Sequence, residues 1–186
     1  RGRENLESLY AEITKQSYNE LFLEYDFRSA HGGTFLHTQW TNAIQITGKI
    51  DRIERLSDDS LIITDYKTGG WFDTFDGKWA DYEKIKQWKY RLQLSFYAIL
   101  FELSPRWKMF QNKKYELFFV EKNRDEDRFH RVVEYIQQGE IERTKSLIIA
   151  VMSKIQNLDF PDVSKYPKTL EGIRMFEEDL LNDQIA

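Results

Sequence analysis

Two stretches read as strands, 43–55, in which apolar residues alternate with polar ones, and 61–67, which opens on an apolar run, and they are separated by the polar turn Ser57-Asp58-Asp59-Ser60. Ile44, Ile46 and Ile50 mark the first, and Leu61-Ile62-Ile63-Thr64 opens the second. A period of two is the signature of strand backbone, and a short loop of turn-forming residues joins two such runs as a β-hairpin. Gly69-Gly70 closes the second strand. A chain with this pair at its centre has to build a sheet on it, and the segments on either side decide what kind.

Those segments are mostly helical. Leu6, Leu9, Tyr10, Ile13 and Ser17 recur at helical spacing and predict an amphipathic helix over about 4–18. Residues 21–27 alternate, with Leu21, Leu23, Tyr25 and Phe27 against Phe22, Glu24 and Asp26, and predict a strand. His31-Gly32-Gly33 reads as a turn, and 71–83 as an irregular stretch rich in Trp, Asp and Gly. From Ile85 the period becomes helical through Trp88, Leu92, Phe96, Ile99 and Leu103, with Pro105 just past its end. Tyr115–Val120 predicts a third core strand and Ile141–Ile155 another helix. Pro161 and Pro167 bracket a loop, and Leu170, Ile173, Phe176 and Leu180 mark a final helix. The order helix–strand–hairpin–helix–strand–helix–helix predicts an α/β fold, a mixed central sheet flanked by helices.

With 186 residues, 41% hydrophobic and 31% charged, the chain can bury a core and suits a single domain over 1–186. No apolar run approaches the roughly 18 residues of a membrane span, and no basic-then-apolar leader opens the chain. There is no cysteine, so disulfides, thiolate zinc sites, cysteine-held iron–sulfur clusters and cysteine nucleophiles are excluded together. A cytoplasmic location is the expectation. The net charge of −4 does not draw nucleic acid to the molecule as a whole; a DNA partner would have to meet a local basic surface or bound cations. The chain opens on Arg1 rather than Met and reads as a piece of a longer protein.

The chemistry concentrates on the hairpin. Leu61, Ile63, Asp65 and Lys67 share one strand face, with Asp65 and Lys67 about 7 Å apart at roughly 3.3 Å per residue. Asp51 shares its face with Lys49 and Ile53 and falls near the Asp65–Lys67 end of the partner strand. Two carboxylates facing each other repel, and a divalent ion resolves the repulsion; hard oxygen donors suit Mg2+ or Mn2+. The lysine beside such an ion holds a phosphate oxygen or orients a water. An Asp-x-Lys pair by itself is ordinarily a solvated ion-pair face; the two strands together carry the argument.

The long helix adds a polar stripe: Lys86, Lys89, Tyr90, Gln93 and Tyr97, with Gln93 and Tyr97 at i,i+4 and therefore neighbours. Residues 78–91 hold five basic and two acidic residues interleaved with four aromatics, the combination that neutralises phosphates and stacks bases. The bland alternative is a solvated face with Trp buried and Tyr97 at the core edge. No phosphate-binding Gly-x-x-x-x-Gly-Lys-Ser/Thr loop and no Gly-x-Ser-x-Gly elbow occurs.

Gly48-x-x-Asp51-Arg52, then Asp65-Tyr66-Lys67-Thr68-Gly69, then Gln93-x-x-x-Tyr97 resembles the RecB-type branch of the PD-(D/E)XK nuclease superfamily. That branch includes nuclease domains at the C-terminus of UvrD/Rep-like helicases and the AddAB-type recombination nucleases. The resemblance is firm over about 20–120 and looser beyond. It implies a restriction-endonuclease-like core and a Mg2+- or Mn2+-dependent DNA exonuclease in repair or recombination, with a helicase motor in the same parent chain. Asp51 and Asp65 would be metal ligands, with the backbone carbonyl of Tyr66 as a third, and Lys67 the catalytic lysine. Gln93 and Tyr97 would belong to the family's helical DNA-binding motif, and Glu24 lines up with a family Glu on the first strand. One departure stands out. Family members often carry a metal-binding His on an upstream helix; the helix predicted over 4–18 has none, and His31 and His37 fall in or near a turn. The second reading that this leaves open is a catalytically silent nuclease-fold module for DNA binding or protein docking.

Overall fold

The computed structural model describes residues 2–14, 18–28, 34–36, 43–75, 80–123 and 128–182. In chain order the elements are α1 (Gly2–Ile13), β1 (Glu20–Asp26), β2 (Thr34–Leu36), β3 (Ile44–Ile46), β4 (Lys49–Arg55), β5 (Leu61–Lys67), α2 (Asp81–Leu103), β6 (Lys113–Asn123), β7 (Arg128–Glu134), α3 (Gln138–Gln156) and α4 (Leu170–Leu181). The molecule is mixed α/β. Two compact units interleave along the chain: residues 1–33, 47–77 and 104–135 form one, and 34–46, 78–103 and 136–186 the other.

The first unit is the sheet unit. Its five strands lie in the order β1-β4-β5-β6-β7. β1/β4, β4/β5 and β6/β7 are antiparallel, and β5/β6 is parallel. A parallel neighbour cannot be reached by a tight turn; here the chain between β5 and β6 includes α2. β5 is central, and Leu61 to Asp65 are all buried, as expected of a strand covered on both faces. The β4–β5 hairpin turns through Asp59 in the left-handed region (φ 60°), while Asp58 Oδ1 accepts from the Ser60 amide at 3.0 Å and its hydroxyl at 2.6 Å. Asp tolerates and caps this geometry. Trp107, 1% exposed, anchors the sheet edge: Phe22 and Tyr25 of β1 meet it edge-on at 5.1 and 5.3 Å.

The structure corrects the sequence reading at three places. The single strand predicted over 43–55 is two, because the chain changes partner at Thr47-Gly48: β3 pairs with β2 in a separate ribbon, and β4 pairs with β1. The alternation predicted for 21–27 breaks at Glu24, whose φ is 52°. Phe22 and Tyr25 then meet the same Trp107, although three residues apart, and Leu23 is 61% exposed. β7 is a strand that the periodicity did not predict. The turn at 31–33, the far end of the first predicted helix (15–17), and His31 and His37 lie outside the described residues, as do Lys78 and Trp79.

The second unit holds α2, α3, α4 and the β2/β3 ribbon. Its helices are clipped by charge: Arg91 of α2 grips Glu140 of α3 with two bonds of 2.8 Å, and Lys145 reaches Glu102 at 2.6 Å. Trp88 Nε1 donates to Glu177 of α4 at 3.2 Å, and Arg143 bonds the same carboxylate at 3.1 Å. Thr169 caps α4 by accepting from the Gly172 amide. No described helix is long and apolar enough to cross a membrane.

Candidate active site

Register places the acidic side chains. The β4–β5 pairing ends at Arg52 with Thr64, and Asp51 and Asp65 are the next residue of each strand beyond that last pair. Cross-strand partners share a face. The apolar part of that face is Ile53, Ile63 and Leu61, each 0% exposed, and it gives way to Asp51, Asp65 and Lys67 where the hairpin strands end in the sheet. β6 continues the face, since Asp65 pairs with Leu117 and Lys67 with Phe119, both fully buried.

Asp65 is only 4% exposed, and its Oδ2 lies 2.6 Å from the Lys67 ammonium, itself 14% exposed. Burial makes this a strong, oriented pair rather than a solvated surface contact. Asp51 is half-buried, and its Oδ2 accepts from the Tyr66 main-chain N–H at 2.8 Å. The side chain thus takes an amide at the point where the β4–β5 pairing ends. Burial pushes the Asp51 carboxyl above its ordinary value. The nearby Asp65 and Glu24 carboxylates add to the rise, while the Tyr66 amide and the Lys67 charge oppose it. Glu24, in its left-handed conformation opposite Asp51 on β1, is exposed and ion-paired with Lys49.

The other predicted residues lie on α2 in the second unit. Gln93 Nε2 donates to Tyr97 Oη at 2.7 Å, and Lys86 Nζ sits 5.6 Å from the Tyr90 ring centre. Lys89 is exposed and Tyr97 is buried. Two cations of the basic stretch are committed to carboxylates, Arg91 to Glu140 and Lys84 to Asp81.

Sequence reasoning gave no role to the opposite face of the sheet, which carries a buried charge network. Arg52, 4% exposed, donates to Glu54 at 2.7 Å, to the Ile13 carbonyl at 3.1 Å and to Tyr66 Oη at 3.3 Å. Glu116 accepts from Thr64 at 2.9 Å and from Arg131 at 3.0 Å. The i,i+2 spacing of Arg52 and Glu54 on a strand was the available signal. His130 of β7 was also missed. It stacks on Trp71 with ring centres 3.5 Å apart, and its Nδ1 lies 3.1 Å from Asp73 Oδ1, holding the segment that follows Lys67.

Among the described residues, no three His, Cys, Asp or Glu side chains converge as a metal-binding group. Hard oxygens are nevertheless the donors at hand: the Asp51 and Asp65 carboxylates, near enough that the charge of Asp65 helps to raise the Asp51 pKa, and the main-chain carbonyl of Tyr66, the residue after Asp65. That set fits a Mg2+-like ion, which keeps several waters and needs only one or two carboxylates.

A family model described as the PD-(D/E)XK nuclease superfamily matches residues 3–167. A solved structure described as "Crystal structure of SSO0001" is similar at 17% sequence identity and a TM-score of 0.40; the alignment covers 80% of this chain and 58% of that one. This chain therefore spans less than two thirds of that chain's length. No curated protein matches.

Proposed function

The chain belongs to the PD-(D/E)XK nuclease superfamily, and from that premise we propose that it is a Mg2+- or Mn2+-dependent deoxyribonuclease using Asp51, Asp65 and Lys67. The observation that carries this reading is the buried Asp65–Lys67 pair flanking Tyr66, whose main-chain N–H donates to Asp51. Asp51, Asp65 and the Tyr66 carbonyl would hold the ion. When bound, it supplies positive charge to the phosphate and lowers the pKa of water. Lys67 brings a second positive charge to the place where oxyanion charge grows, so its effect is largest in the transition state. Asp65 fixes the direction of that ammonium, and the Tyr66 N–H fixes Asp51 through Oδ2. In the reaction, a water oxygen bonds to phosphorus and gives up a proton to solvent, the bond to the 3′ oxygen breaks, and that oxygen takes up a proton. The products are a 3′-hydroxyl and a 5′-phosphate.

The three motifs, taken with their RecB-type resemblance, support an exonuclease acting in DNA repair or recombination, attached in its parent protein to a helicase motor in the cytoplasm. Lys86, Lys89 and Tyr90 contact the DNA backbone in this reading, Gln93 and the buried Tyr97 support that binding from the same helix, and Glu24 supports the site. Cleavage of single- and double-stranded DNA with Mg2+ or Mn2+ tests it. Asp65→Asn and Lys67→Met are each expected to lower the rate by about 10²–10³-fold while retaining DNA binding. Unchanged cleavage in either variant refutes the assignment. DNA binding without cleavage by the parent chain favours the silent module.

A further inference from the structure

The face of β4 turned away from Asp51 is tied to it by an unbroken path. Arg52 follows Asp51 in sequence and points to the other side of the sheet, where its guanidinium makes three directed contacts. Nη2 bonds Glu54 and the carbonyl of Ile13, the last residue of α1, and Nη1 bonds the Tyr66 hydroxyl. The Tyr66 ring is braced edge-on by Phe118 at 5.7 Å. The same residue's main-chain N–H returns through the sheet to Asp51 Oδ2.

We propose that Arg52 is a positioning residue for the site: through the Tyr66 side chain it sets the main-chain amide and carbonyl of Tyr66, and with them the Asp51 carboxylate, and it joins that setting to the docked C-terminus of α1. This rests on the reading of Asp51 and Tyr66 as metal ligands. The physical grounds are geometric. A planar guanidinium held at three points has little rotational freedom, which lysine cannot match. Groups that orient ligands from behind are what hold a carboxylate within about half an ångström of its working position. Stability alone is a weak account of the pair, since a buried ion pair contributes little net stability relative to well-packed apolar residues.

The test uses the full chain and reads Mn2+ binding by calorimetry and electron paramagnetic resonance, with solvent exchange of the Tyr66 amide alongside. Tyr66→Phe removes only the hydroxyl. Arg52→Met with Glu54→Met removes both buried charges together, so neither is left unpaired. Both are expected to melt within about 4 °C of the parent, to bind Mn2+ about 10-fold more weakly and to exchange the Tyr66 amide faster. Any loss of cleavage should then be recovered by more Mn2+, with the KM for DNA unchanged. Arg52→Lys is not expected to restore the parent affinity. Parent-like Mn2+ affinity in Tyr66→Phe overturns the inference, and that variant decides the matter should the double variant not fold. Asp51→Asn separates the two layers. If it abolishes Mn2+ binding while Tyr66→Phe does not weaken it, the site stands and the role of Arg52 falls. If Asp51→Asn binds Mn2+ as the parent does, the reading of the site falls and the inference with it.

Discussion

Burial, with the Asp65 and Glu24 carboxylates nearby, holds the Asp51 carboxyl above its ordinary value. A raised acid binds more protons folded than unfolded across the window between its two pKa values. Stability contributed at that position therefore falls as the pH rises through the window. In chelator at pH 7, Asp51→Asn is expected to melt higher than the parent, since the amide oxygen still accepts from Tyr66 N–H. The gap should close as the pH is lowered to the ordinary aspartate range. Melts from pH 4 to 8 check this. Saturating Mn2+ reverses the order, stabilising the parent by about 2.7 kcal/mol at a hundred times its Kd and leaving the variant unmoved. Asp51, Asp65 and Lys67 were legible as a set because strand alternation and a short hairpin assign faces without any knowledge of the rest of the chain. Arg52 was not, because its partners Ile13 and Tyr66 come from two other elements.

The elements themselves are most legible where their signal is local. α2 carries an unbroken 3.6 period, and the structure extends it back to Asp81, where Asp81 and Glu83 occupy the first turn in keeping with the helix dipole. The hairpin turn and the stop at Gly69, with φ +95°, follow from residue chemistry. β7 escaped because Phe129, Arg131 and Val133 alternate too weakly to mark a strand, and pairing with β6 makes it one. The start of α4 is decided by a close approach that periodicity does not register. A side chain added at Gly172 would drive its Cβ into the Pro167 carbonyl oxygen and to 2.8 Å from the carbonyl carbon, main-chain atoms that cannot swing aside. Gly172→Ala is therefore expected to destabilise the protein by about 1–3 kcal/mol, although alanine is the better helix former. Urea melts, read for a shift in midpoint at constant slope, measure it.

For the molecule taken whole, a net charge of −4 leaves DNA binding to local cations. Lys86 and Lys89 of α2 are the cations proposed to meet phosphates. Replacing both with alanine is expected to shallow the log–log salt dependence of double-stranded DNA affinity by about 1.8, or about 0.9 for each phosphate no longer neutralised. A titration across salt concentrations reads the slope directly, and an unchanged slope removes these lysines from the interface. The α/β class, the central hairpin and the faces of its acidic residues follow from the order of amino acids alone, because each depends on spacing along a few neighbouring residues. Only the folded arrangement fixes that Asp51 takes an amide from Tyr66, that Glu24 breaks its strand, and that the chain interleaves two compact units. Those outcomes come from which distant segments pair and what they bury together, energies that no local period encodes.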